Sequence, residues 1–134
     1  MDFDSQKLLE EARAARAGSY APYSKINVGA AVLLEDGGVV RGANVENASY
    51  GLTVCAERNA IFAAVNGGAR RFKAIAVSVL GDLGDKKIPP DKLSPCGACR
   101  QVMAEFMADD AVVIVDGAKT YKLGELMPDA FRLD

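Results

Sequence analysis

The sequence contains no histidine and no tryptophan, and only three cysteines among its 134 residues. Without histidine there is no Ser-His-Asp or Cys-His nucleophile, no imidazole proton shuttle and no histidine metal ligand. Three cysteines cannot all pair within one chain, so a disulfide framework is excluded as the organising principle. No apolar run approaches the ~18 residues of a membrane span. The first residues, MDFDSQKLLEEARAARAG, are charged and amphipathic and lack a signal-type apolar core. A cytoplasmic, reducing environment is therefore expected, with the cysteines free for metal or chemistry. Charge of one sign is missing too: 16 basic residues face 18 acidic ones, for a net charge of −2. That balance offers no field for a nucleic-acid backbone or an anionic membrane, although a single nucleoside needs none.

Half the residues are hydrophobic, enough for one core, and the length predicts a single domain over residues 1–134. Helical spacing from Asp4 to about Ala17 predicts an amphipathic helix capped by Asp4 or Ser5. Residues 26–34 and 39–45 read as strands joined by a tight Asp36-Gly37 hairpin. A helix over 55–66 stops at Gly67-Gly68. A strand at 74–80 is apolar almost throughout, which suggests burial on both faces. A polar loop covers 81–94, long enough to border a site. A helix from near Pro95, a buried strand at 111–115, a short strand near 119–122 and a short helix at 123–127 complete the chain. This order predicts an α/β fold, a three-layer α/β/α sandwich around one mixed five-stranded sheet.

All three cysteines fall at predicted helix starts: Cys55 on one, Cys96 and Cys99 on another. Residues three apart share a helix face, so Cys96 and Cys99 can chelate one ion. Helix N-termini carry partial positive charge and stabilise thiolates. A structural zinc is closed by four protein ligands, whereas a catalytic zinc keeps three and one open position. The count here is three. Glu57 stands two positions after Cys55, about 200° around an ideal helix. Both can address one ion only beyond the helix end, with the cysteine as ligand and the carboxylate facing the open position. A redox Cys-x-x-Cys or inert buried cysteines remain as plainer readings, but they leave Cys55 and Glu57 unexplained.

Cys55-Ala56-Glu57 followed by Pro95-Cys96-Gly97-Ala98-Cys99 resembles the motif of zinc-dependent cytidine deaminases with an all-cysteine site. The resemblance extends through Tyr20 to Ser24, Val28 to Ala31, Asn44 to Ala48, Ser94 to Gln101 and Leu126 to Pro128. It is to the short, homotetrameric members of pyrimidine salvage. It implies one Zn²⁺ per chain on Cys55, Cys96 and Cys99, with Glu57 as acid and base, in a cytidine deaminase-like fold. Activity would be hydrolytic deamination of cytidine and 2′-deoxycytidine through a zinc-bound hydroxide. Asn44 and Glu46 would bind the ribose hydroxyl, and Ala56 would offer its backbone to the base. Arg58 would hydrogen-bond the ligand sulfurs, with Arg100 assisting or merely exposed. Tyr50 and Phe131 match aromatics near subunit boundaries, Phe131 stacking on a neighbour's base. Where the family commonly has Phe on the pyrimidine, this chain has Ile26. That change and the 81–94 loop leave room for a modified cytosine nucleoside or a blasticidin S-like compound as substrate. A zinc-stabilised domain without catalysis is the rival of another class.

Overall fold

The Asp4 carboxylate accepts the Lys7 backbone N–H at 3.1 Å and so caps α1, Ser5–Ala15. Leu8, Ala12 and Ala15 turn inward from it. The helix ends two residues before the expected Ala17 because its last turn tightens into a 3-10 turn at Arg16–Gly18. The structure is a computed structural model and describes residues 2–80 and 93–133. Most of the loop expected over 81–94 lies outside the described residues.

Strand β1, Asn27–Leu34, turns into β2, Val39–Ala43, with Gly37 at φ +93°. The Asp36 carboxylate accepts the Gly38 N–H at 2.8 Å and shapes the turn. β2 stops two residues short of the expected Val45. Asn44 leaves the ladder, and Val45 forms single bridges to Tyr20 and Val54 instead. α2, Ala56–Asn66, follows and ends on Gly67 and on Gly68 at φ +105°. β3, Phe72–Leu80, then gives way to α3, Gly97–Phe106. Pro95 lies outside α3, because Cys96 is still extended (φ −67°, ψ 166°) and serves as the N-cap. β4, Val112–Val115, β5, Thr120–Lys122, and α4, Leu123–Leu126, close the fold.

The strands form one sheet in the order β2-β1-β3-β4-β5. β1 is antiparallel to both neighbours, β3 and β4 are parallel, and β5 is antiparallel to β4. α2 therefore carries the chain across β1, and α3 makes the crossover from β3 to β4. Alternate residues serve opposite faces. Ala31, Leu33, Ala74 and Ala76 pack against Leu8 and Ala12 of α1. Ala30, Val32, Ile75 and Val113 pack against Ile61 of α2 and Met103 of α3. The three-layer α/β/α sandwich and its mixed five-stranded sheet match the sequence reading. Among the described residues no helix is long and apolar enough to cross a membrane.

On the α2 side of the sheet, backbone meets backbone at Gly42. A Cβ there would lie 2.3 Å from the Ala60 nitrogen and 2.7 Å from the Ala56 oxygen. Ala56, Ala60 and Ala64 form the facing stripe, and the Asn59 amide donates to the Ala43 carbonyl at 2.8 Å. Gly42→Ala should therefore push α2 off the sheet and destabilise the protein by about 1–3 kcal/mol or more in denaturant unfolding. Gly37→Ala, whose Cβ meets nothing within 4 Å, should cost only about 1–2 kcal/mol of left-handed strain. Equal costs at both positions would show that the helix is not held by this contact.

Candidate active site

Two helices begin at the same place. Cys55 is the N-cap of α2 and Cys96 the N-cap of α3, and neither thiol is spent on capping its own helix. Cys99 lies in the first turn of α3 and is fully buried. Cys55 Sγ is 3.8 Å from Cys96 Sγ, which is 3.4 Å from Cys99 Sγ. All three sulfurs lie within 4.8 Å of one another. Tetrahedral zinc with Zn–S bonds of about 2.3 Å needs sulfurs about 3.8 Å apart, so the donor set suits one zinc ion. Among the described residues the cluster has three members and no fourth histidine, cysteine or carboxylate ligand. That is the composition of an open site.

The charges around the thiols are matched. The Cys55 thiol is pushed down to about 5, first by the hydrogen bond from Cys99 and then by Arg58 and Cys96, against the effect of burial. Cys99 moves the opposite way, because it is the donor in that bond and is buried. Arg58 Nη2 donates to Cys55 Sγ at 3.5 Å, and the thiols hold its guanidinium above the ordinary arginine range. Its Nε is buried with no hydrogen-bond partner among the described residues. Three thiolates on a dication leave one net negative charge, which this arginine offsets.

Glu57, in the first turn of α2, is 5% exposed. Burial, with the Cys55 charge adding to it, pushes its carboxyl up to about 7. Its own backbone N–H and the Cys99 thiol oppose the shift without cancelling it. A carboxyl in that range exchanges protons readily near neutral pH.

Glu57, Cys55 and Cys96 open onto a cavity of about 270 Å³ whose walls include Ile26, Val28, Val77, Val79 and Val115. The cavity lies at the carboxyl ends of β3 and β4, where parallel strands diverge and open sheets generally bind ligands. Asn44 and Ala56 also line it. The Asn44 side chain is heavily engaged: its Oδ1 accepts from Ser19 Oγ at 2.5 Å and from the Val28 N–H at 2.9 Å, and its Nδ2 donates to the Ile26 carbonyl at 2.9 Å. One N–H remains for a ligand. Glu46 does not line the cavity. Its carboxylate accepts the Tyr23 and Ser24 N–H groups at 3.0 and 3.1 Å and the Ser24 hydroxyl, and these bonds hold its pKa below the ordinary range. Because Ser24 Oγ in turn accepts the Ile26 N–H at 3.0 Å, Asn44 and Glu46 together fix the chain that carries Ile26 into the wall.

The Arg100 guanidinium bonds to groups other than the thiols. It donates to the Pro95 and Leu126 carbonyls at 2.7 and 2.8 Å and to Ser94 Oγ at 2.8 Å, binding the approach to Cys96 onto α4. Tyr50 is exposed and stacks edge-on against Tyr23 at 6.2 Å. Phe131 is 67% exposed. Neither lines the cavity of its own chain. The valines of β3 and β4 and Thr53 are wall residues that sequence reasoning did not single out. The apolar runs mark the valines as strand residues, and only the position of the strand ends makes them a wall.

The family model for the cytidine and deoxycytidylate deaminase zinc-binding region matches residues 3–115. The cytidine deaminase of Halalkalibacterium halodurans is 50% identical over 135 residues, spanning 98% of this chain and 96% of that protein. The cytidine deaminase of Mycobacterium tuberculosis is 44% identical over 134 residues, spanning 99% and 93%. The crystal structure of cytidine deaminase from Burkholderia pseudomallei superimposes with a TM-score of 0.83 at 45% identity, over 96% of this chain and 100% of that one. A motif, a fold and a thiol geometry that agree over nearly the full length leave one assignment: the chain belongs to the cytidine and deoxycytidylate deaminase zinc-binding family.

Proposed function

We propose that residues 1–134 act as one catalytic domain that hydrolyses cytidine and 2′-deoxycytidine to the corresponding uridines and ammonia, in pyrimidine salvage in the cytoplasm. The observation that carries this reading is a single buried carboxylate beside a three-thiol cluster on the floor of an apolar cavity. Cys55, Cys96 and Cys99 would hold the zinc, which supplies a Lewis acid to activate water.

The remaining work falls to Glu57. It takes a proton from the attacking water and places it on ring N3, making C4 electrophilic. It then takes the proton of the new C4 hydroxyl and delivers it to the departing amine, which leaves as ammonia. One carboxylate suffices because its tasks are sequential. The apolar walls at Ile26, Val28 and Val79 exclude bulk water from the base. The second Asn44 N–H and the Ala56 backbone would hold sugar and base, and Glu46 would reach the sugar only from the rim. Arg58 keeps the thiolates compensated, and Arg100 holds the loop that bears Cys96. The exposure of Phe131 and Tyr50 supports a homotetramer in which these aromatics serve a neighbouring copy.

Glu57→Gln preserves shape and hydrogen bonding but cannot take up and release a proton. Its turnover should fall at least about 10³-fold while zinc stays near one per chain by elemental analysis. Cys96→Ala should instead lose the metal and the activity together. Substantial cytidine deamination by Glu57→Gln would remove the shuttle from the mechanism. Sedimentation of the native protein should give a species of about four times 14.1 kDa, and a fully active monomer would make Phe131 dispensable to any neighbour.

A further inference from the structure

Ser78 is the one buried polar side chain of β3 that the reaction does not use, and its exposure is 0%. It stands between Val77 and Val79, which face the cavity, so its own side chain points to the opposite face, towards α1. There its hydroxyl donates to Asp116 Oδ2 at 2.7 Å. Asp116 also takes a two-pronged bond from Arg13 of α1, with Nε to Oδ2 at 2.9 Å and Nη2 to Oδ1 at 2.8 Å. The Asp116 backbone N–H reaches the Val77 carbonyl at 2.9 Å.

This cluster lies where the parallel ladder runs out. Val77 and Val115 are the final paired residues of β3 and β4. Two residues later the chain turns away through Gly117 at φ +75°, while β3 continues to Leu80. Beyond that rung no pairing of β3 with β4 fixes the position of Val79 relative to Val115, its neighbour on the sheet wall of the cavity. The height of α1 is fixed independently. Gly29 pairs with Ser78, and a Cβ on Gly29 would lie 2.1 Å from the Ala12 carbonyl oxygen. Backbone thus meets backbone one residue before Arg13, and the guanidinium arrives at Asp116 from a rigid base.

We propose that Asp116, clamped by Arg13 and Ser78 on the back of the sheet, is a positioning residue that sets the spacing of Val77, Val79 and Val115 on its front and so the fit of the base. The proposal rests on the reading that a cytosine nucleoside occupies this cavity. Arg13 is 41% exposed, and partly exposed ion pairs contribute little to stability. Breaking the clamp should therefore leave a folded protein with a looser wall.

The test compares Asp116→Asn, Ser78→Ala, Arg13→Ala and Arg13→Lys as zinc-loaded full-length proteins. Asp116→Asn, Ser78→Ala and Arg13→Ala should raise KM for cytidine about three- to tenfold with kcat within about twofold, since wall spacing governs ground-state fit and not proton transfer. Arg13→Lys should recover part of the loss. Zinc content should match wild type. The methyl NMR signals of Val77, Val79 and Val115 should move, while those of Val39 and Val40 in the hairpin stay in place. Lower melting temperatures with unchanged KM and unmoved cavity methyls would reduce the clamp to a fold staple and overturn the proposal. So would a fall in kcat at constant KM. If wild type does not turn over cytidine, the functional reading fails by itself, and the valine methyls alone decide the clamp.

Discussion

The site depends on backbone pressed against backbone where α2 crosses β2 at Gly42. Any side chain at that point would collide with the Ala56 oxygen and the Ala60 nitrogen. The alanines of the facing stripe bury little area each, so they contribute less hydrophobic stabilisation than leucines would. What they provide is proximity. With α2 seated against the sheet, its first turn is held in place, and Cys55 and Glu57 have no freedom to drift from the end of α3. A helix kept farther away by larger side chains would separate the thiols beyond the span of a single ion.

Electrostatics then works within that geometry. Two helix N-termini aim their partial positive charges at the sulfurs, and Arg58 adds a full one. At Cys55 the thiolate is favoured where burial alone would do the reverse. The same burial acts on Glu57 without a cation of its own, so its proton is held far more tightly than on an exposed glutamate. One small volume thus contains an acidified thiol and a proton-retaining carboxyl. Cys55 and Glu57 differ because the sulfur accepts hydrogen bonds from Cys99 first and then from Arg58, whereas at the carboxylate burial outweighs every opposing bond.

Much of this was legible in the chain because it is local. The Asp4 cap, the Asp36-Gly37 turn, the Gly67-Gly68 stop and the period of β1 and β3 each depend on neighbours within a few residues. The spacing of Cys55, Glu57, Cys96 and Cys99 is legible for the same reason, since each pair sits in one helix turn. Strand ends were less so. β2 stops early because the Asn44 side chain engages Ile26 and Val28, contacts made across the sheet rather than along it. Glu46 reads as a solvated charge or a sugar ligand in the sequence, yet in the fold it caps the turn at Tyr23 and Ser24. Arg100 looks like a surface charge until α4 brings Leu126 to it. Nothing local pairs Arg13 with Asp116, because only the finished sheet places them together.

The order of the strands also has a cost during synthesis. Leu33 and Val39 pair across a tight turn, so the β1–β2 hairpin can form as soon as it leaves the ribosome. β1 finds its second partner, β3, only after the whole of α2 has been made. Until then, an apolar strand with the sequence NVGAAVLL presents one unpaired edge, the kind of template on which nascent chains associate. The alanines and Gly29 along that edge lack the charges that usually discourage such pairing. In this protein the protection of β1 is kinetic: it depends on how quickly β3 arrives.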